Sequence, residues 1–333
     1  MLGDDDITLQ DHSPDRISFR QFNAIYNPAA DDELLKETLF NWFNDNSEQI
    51  ELFKQMIGYL MMNHVKYQKI FFLIGKPSTG KSTLLNLITT FCGKENVSAI
   101  QFSDMAKEHG LSPIVNKTAN IFSDVKKGKV SGSDIFKMLA DGSPIQINAK
   151  YRQPFTYRFM GKLIFGMNNE PDFSSDYAGI ERRLVIFRFD KVFNQLVKGF
   201  DPDLLDKLVT DQALSTLLNM AIEGYQTLNQ NKGFITTKES EKALVQFATA
   251  NDSVLQWLLE GENGEINEDY LLRFPIKSNN TGLYPDYKSF CYGIGIEPVE
   301  QKEFTSRIKD RFHLNSKQTR EKGTGNRYQI FCK

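Results

Sequence analysis

The sequence predicts an α/β fold built on a largely parallel sheet, and three observations carry that reading. An apolar strand, Phe71-Phe72-Leu73-Ile74, runs into the glycine-bearing loop Gly75-Lys76-Pro77-Ser78-Thr79-Gly80-Lys81-Ser82-Thr83 and then into the helical run Leu84-Leu85-Asn86-Leu87-Ile88. Short buried-strand patterns then alternate with helical ones, which places helices on both faces of a sheet. Two of those strands end on polar residues, Ser123-Asp124 and Asn168-Asn169, the pattern of strands whose carboxyl ends line a site.

The elements follow in order. Residues 1–20 are polar and acidic and read as a loose tail. Over 21–68 apolar residues fall at helical spacing, with Leu35, Leu39, Trp42 and Phe43, then Ile50, Phe53, Ile57, Leu60 and Met61, which predicts an amphipathic helical pair. The core domain is expected over 69–200. Its strands are 69–74, Ala119–Phe122, Lys162–Phe165 and Leu184–Phe187, Ile100–Asp104 is a short apolar piece, and Ile135–Leu139 is helical. Ile145–Ala149 and Phe155–Phe159 flank a polar segment and read as a hairpin. A helical region is expected over 201–262, ended by the turn-rich acidic stretch Glu260–Glu265, and a small final domain over 276–333.

The loop is a candidate triphosphate cradle. Gly75 and Gly80 let the backbone curl, with Pro77 setting the turn, so that the N–H groups of the loop, those of Ser78, Thr79 and Thr83 among them, face phosphate oxygens. Lys81 can reach the β- and γ-phosphates and the Ser82 hydroxyl can ligate Mg²⁺. Asp124 suits the acid that holds Mg²⁺ or orients water, although a strand-end cap would read the same. Asn168, with Asn169 as its rival, suits a γ-phosphate sensor, and Arg182-Arg183 before a core strand suit a cation supplied by a neighbouring subunit.

Bulk features exclude other classes. The formal net charge is −2, so no global basic surface announces a nucleic-acid binder. The three cysteines lie far apart with no zinc spacing, as expected of a reduced, cytoplasmic protein. The four histidines are scattered, and the start has no signal-peptide pattern. No apolar run reaches the ~18 residues of a membrane span.

Four segments in this order, Gly75–Ser82, Asn120–Asp124, Lys162–Pro171 and Glu181–Phe189, resemble the superfamily 3 helicases, and more closely the phage and plasmid primase-helicases related to the poxvirus primase-helicase. Tyr26-Asn27-Pro28 and Leu283-Tyr284-x-x-Tyr287-x-x-Phe290-Cys291 are similar to that family's flanking regions. The resemblance implies an AAA+-type P-loop ATPase core with an N-terminal helical segment, a C-terminal helical region and a small winged-helix domain. It implies ATP and Mg²⁺ as cofactors and a homo-hexameric ring moving 3′→5′ on single-stranded DNA. A duplex replication origin and a primase or polymerase are the further partners, and no membrane is involved. By motif matching Lys81 and Ser82 become Walker A contacts, Asp124 the Walker B acid and Asn168 the sensor. Arg183 becomes the trans finger, with Arg182 as the alternative. Many members carry two adjacent acids at the Walker B position, whereas the first here is Ser123.

Two segments are candidate DNA contacts. Lys150 and Arg152 at the hairpin tip can neutralise phosphates while Tyr151 offers a stacking face, and the resemblance puts this tip in the ring's channel. Near the C-terminus, Gln301–Phe312 carries Arg307, Lys309 and Arg311 opposite Phe304, Ile308 and Phe312. Lys317, Arg320 and Lys322 follow before Gly323-Thr324-Gly325. Helix followed by basic, glycine-bearing ribbon resembles a winged helix-turn-helix. The rival readings are an ATP-switched origin-binding initiator that unwinds little, and a metabolic or signalling phosphate-loop NTPase.

Overall fold

The computed structural model describes residues 10, 13, 15, 21–125, 133–171, 173, 177–193, 200–260, 266–277, 281–320 and 327–333. The expected tail at 1–20 and the turn-rich stretch 261–265 therefore lie almost wholly outside the described residues.

The chain divides into two compact units, Met1–Val245 and Gln246–Lys333. The first opens with helices α1 (Glu33–Trp42) and α2 (Ser47–Met61). Their starts are set locally: Asp32 accepts from the Leu35 amide, and Asn46 from those of Glu48 and Gln49. There follow β1 (Ile70–Gly75), α3 (Lys81–Cys92), β2 (Val97–Ser98), α4 (Phe102–Met105), β3 (Ala119–Val125), α5 (Ser133–Asp141), β4 (Pro144–Ile147) and β5 (Phe155–Arg158). Then come β6 (Lys162–Met167), α6 (Tyr177–Glu181), β7 (Leu184–Phe189), α7 (Leu204–Leu208), α8 (Asp211–Gln230) and α9 (Lys238–Asn251), which crosses the division.

Five strands form one sheet in the order β2-β3-β6-β1-β7, every neighbour parallel. The fold is thus α/β, as expected. The strands read as near-continuous apolar runs because both sheet faces are covered. On one face Phe71, Leu73, Ile164 and Phe187 join a core shared with α2, α3 and α8. On the other, Phe72, Phe102, Phe136, Phe165 and Phe173 form an aromatic cluster. The apolar piece near residue 100 turns out helical at α4, because Phe102 and Met105 are anchored in a core on adjacent turns. Helices α1 and α2 belong to the same core as the sheet, so 21–68 is part of the first unit instead of a domain of its own.

Lys162, the first residue of β6, is 2% exposed. Its ammonium donates to the carbonyls of Met62 at 2.6 Å, His64 at 3.0 Å and Met160 at 2.8 Å, and lies 4.5 Å from the Tyr59 ring centroid. A buried charge so held is costly to unmake. Lys162→Ala is expected to destabilise the first unit by about 3 kcal/mol, since three carbonyls lose their donor. Urea unfolding measures this as a lowered midpoint at an unchanged slope.

The second unit holds α10 (Ser253–Glu260), α11 (Glu268–Arg273), β8 (Pro275–Lys277), α12 (Leu283–Gly293), α13 (Gln301–Phe312), β9 (Asn315–Arg320) and β10 (Arg327–Cys332). Its sheet runs β8-β10-β9, antiparallel. Val254, Trp257 and Leu258 of α10 bury against Tyr287, Phe304 and Ile308. That moves α10 out of the helical region expected over 201–262 and into the C-terminal unit. The helix break is chemical: Asp252 caps α10 by accepting from the Val254 and Leu255 amides.

Candidate functional site: the carboxyl edge of the parallel sheet

The loop after β1 has the geometry its glycines require. Gly80 sits at φ +88°, in the left-handed region, and a Cβ there would lie 2.3 Å from the Trp42 indole nitrogen. A Cβ on Gly75 would lie 2.2 Å from the Phe189 carbonyl oxygen, because β1 and β7 are paired at that point. The loop is further tied by the Phe193 amide donating to the Ser78 carbonyl at 2.6 Å.

Lys81 is buried and folded back over this loop. Its ammonium donates to the Gly75 and Lys76 carbonyls, both at 2.7 Å, and to the Thr79 hydroxyl at 3.1 Å. Burial holds its pKa below the ordinary lysine value. Thr79 in turn donates to the Lys76 carbonyl at 2.9 Å. Lys76, Pro77, Ser78 and Ser82 are exposed, and Thr83 is half-buried. A loop of this shape, opening a helix, offers backbone N–H groups and a positive helix end to an anion. A cavity of about 400 Å³ adjoins Ser78, Gly80 and Thr83 and is walled by Trp42, Phe200 and Leu205.

Strand order brings the other candidates to the same edge. Ile74, Met167 and Val125 are register partners across β1, β6 and β3. Asn168 therefore follows β6 directly between the loop and the end of β3, and it is exposed, as is Asn169. The β3–β6 register shifts between Phe122 and Val125, and within that irregularity Ser123 and Asp124 are both exposed. Among the described residues no group of three or more His, Cys, Asp or Glu could hold a metal. A hard dication at Ser82 and Asp124 would thus draw most of its oxygen ligands from phosphate and water, which suits Mg²⁺.

One pair at this edge had no role in the sequence reading. Arg188, beside Ile74 in the register, contacts the Glu170 carboxylate at 2.5 Å and braces the segment that carries Asn168. Its position at the end of β7, across from the loop strand, was the available signal.

Arg182 and Arg183 lie at the opposite end of β7. Arg183, favoured by the resemblance as the finger, is committed within its own chain. It is 4% exposed, and its Nε and Nη2 donate to the two Asp141 oxygens at 2.9 and 2.7 Å. Its Nη1 donates to the Gly179 carbonyl. Arg182 is exposed. Its carbonyl accepts from the Lys69 ammonium at 2.7 Å, and burial, then the Arg182 charge, lowers the Lys69 pKa.

The expected hairpin is present as β4 and β5, paired antiparallel. At its tip Lys150, Tyr151 and Arg152 are exposed, with Tyr151 at φ +61°. His109 bonds through Nδ1 to the Asn148 carbonyl at 2.9 Å and steadies the tip from a neighbouring loop.

In the C-terminal unit Phe304 and Ile308 are buried and Phe312 is half-buried. Arg307 departs from the expected open basic face: it is paired with Asp252 at 2.8 Å and with Glu303. Arg311, Lys317 and Arg320 are exposed and Lys309 is half-buried. Lys309 lines a groove with Lys302, Ser306 and Gln329, and Lys302 is a cation the spacing argument passed over. Lys322 and the glycines after it lie outside the described residues.

Residues 73–183 match the model of a family of unknown function (DUF5906). No curated protein matches the chain. Among solved structures, the apo C-terminal region of NrS-1 is similar, with a TM-score of 0.58 at 15% identity, covering 92% of this chain and 76% of that one. An A form of the same region gives 0.55 at 13% identity, covering 92% and 76%. A further A-form structure gives 0.55 at 14%, covering 93% and 78%. At such identities the likeness is one of fold. Among the described residues no helix is long and apolar enough to cross a membrane.

Proposed function

We propose that this chain is an ATP-driven DNA helicase of the superfamily 3 type, working as a homo-hexameric ring on single-stranded DNA in replication of a phage, plasmid or mobile element. The observation that carries the reading is the convergence of the Gly75–Lys81 loop, Asn168 and Asp124 on one edge of a parallel sheet. The fold likeness to the NrS-1 C-terminal region over nearly the whole chain agrees with it.

The loop amides and Lys81 would hold the β- and γ-phosphates, with Lys81 exchanging the Gly75 and Lys76 carbonyls for phosphate oxygens. The base would take the cavity beside Ser78 and Trp42. Ser82 and Asp124 would hold Mg²⁺ carried in by the nucleotide, which would supply positive charge against the phosphates. Asp124 accepts a hydrogen bond from the attacking water, and with Ser123 beside it no second acid is adjacent to share that task. Asn168 donates to the terminal phosphoryl or to that water. Arg182, exposed on an electropositive corner with Lys69, reaches the nucleotide of the adjoining subunit. That is a head-to-tail contact, which closes into a ring.

The hairpin grips the strand through Lys150, Tyr151 and Arg152. Changing Lys150 and Arg152 together to Ala is expected to flatten the dependence of log K on log salt by about 1.4, ~0.7 for each phosphate contact removed. Fluorescence anisotropy on a single-stranded oligonucleotide measures it, and an unchanged slope excludes the tip as a phosphate contact.

The C-terminal unit has the helix-then-ribbon order of a winged helix, with α13 and β9 presenting Lys309, Arg311, Lys317 and Arg320. That observation also suits the second reading, an origin-binding initiator. Strand displacement decides between them. The motor unwinds a tailed duplex with ATP, whereas the initiator binds one duplex sequence tightly and displaces nothing.

A further inference from the structure

Arg183 has a partner with a place in the motor. Asp141 is the last residue of α5, and β4 starts at Pro144. Its neighbour Gly142 offers a carbonyl to Arg158, the last residue of β5, at 3.2 Å. Pro144 and Arg158 are themselves register partners. Both strands of the hairpin thus converge on residues 141–142.

Two side-chain anchors hold this root, beside the backbone bonds from the Gly142 amide to the Leu139 carbonyl and from the Ser143 amide to the Met138 carbonyl. On the β5 side the chain reaches β6 within a few residues, and Lys162 grips the Met160 carbonyl at 2.8 Å. On the β4 side the anchor is the Arg183 fork on Asp141, at 2.9 and 2.7 Å. A bidentate guanidinium–carboxylate pair fixes orientation as well as distance, which a lysine could not do. The Arg182–Arg183 corner does not depend on this pair for its own position. The Arg183 carbonyl accepts from the Ile70 amide at 2.8 Å, and the Arg182 carbonyl from Lys69 at 2.7 Å.

We infer that the Arg183–Asp141 pair is a coupling joint: it makes the DNA-gripping hairpin travel with the strand whose first corner carries Arg182. A pull on Arg182 by nucleotide bound to the adjoining subunit then reaches the hairpin root through a side-chain fork, added to the backbone bonds that already close the α5–β4 turn. The inference rests on the motor reading above and gives Arg183 a positioning role there.

The test is the amount of strand displaced per ATP hydrolysed, measured on the full chain. Asp141→Asn should lower that ratio by about tenfold, the size of effect a coupling residue carries. DNA-free turnover and single-strand affinity should stay within about twofold of the parent, because neither set of contacts includes Asp141. Amide exchange over Pro144–Ile147 and Phe155–Arg158 should quicken. If Asp141→Asn fails to fold, Arg183→Lys, which keeps the charge and loses the fork, should lower the same ratio. An unchanged ratio overturns the joint. So does a variant that loses DNA-free turnover in step with displacement, a result that would return Arg183 to the finger role. A parent chain that neither hydrolyses ATP nor displaces a strand removes the motor reading, and the joint with it.

Discussion

Arg182→Ala is expected to lower ATP turnover by about 10³-fold while leaving nucleotide affinity within a few-fold of the parent, the signature of a cation felt only as the phosphoryl group moves. Two adjacent arginines immediately precede β7, and their surroundings part them. Arg183 is spent on Asp141 and Gly179 inside its own subunit. Withdrawing it to serve a neighbour would strand a carboxylate at the end of α5. Arg182 is exposed and its backbone is pinned, so its side chain can extend from a fixed point. Single-turnover hydrolysis and calorimetric nucleotide binding separate the two effects. Normal turnover in Arg182→Ala would assign the role to another cation.

Lys81→Met is expected to cut turnover by about 10²–10³-fold, the scale for removing one charged donor from a developing anion. It should do so without unfolding the chain. Burial holds the Lys81 pKa below its ordinary value, which means that the charged side chain is less well solvated in the fold than in water. The sign follows: protonated Lys81 weighs against the nucleotide-free fold at neutral pH, and the penalty fades as pH rises through the lowered pKa. Methionine fills the same space with no charge to solvate. Gly75 is half-buried and Lys76 exposed, so water can replace the bonds their carbonyls lose, unlike those around Lys162. The expected melting curve therefore stays close to that of the parent, and a large loss of stability would make the lysine a structural element.

Local features were legible in the sequence because they are written within one turn or one strand. The loop from Gly75 to Ser82, its flanking strand and helix, and the hairpin around Lys150 all lie where their patterns placed them. The parallel sheet followed from apolar strands that could only be covered on both faces. What stayed hidden depends on partners distant in the chain. Nothing near Arg183 announces Asp141, whose pairing needs α5 to end beside the first residues of β7. Arg307 sits at a spacing that suits an open basic face, yet Glu303 one turn earlier and Asp252 beyond the helix both capture it. The apolar stripe of α10 is visible as a stripe, but periodicity does not say which core it faces, and Trp257 proves to belong with Phe304. The irregularity that exposes both Ser123 and Asp124 arises from pairing with β6 and has no signature in β3 itself.

The central claim is that one nucleotide is held between two subunits, cradle from one and arginine from the next. Mixing two inactive variants tests it most directly. In an assembly of Lys81→Met and Arg182→Ala chains, some contacts join an intact cradle to an intact Arg182. Random pairing makes these roughly a quarter of all contacts in a head-to-tail ring. ATP turnover is expected to reappear on mixing and to grow with total protein concentration. A mixture as inactive as its two components, at concentrations where the parent turns over ATP, would contradict it.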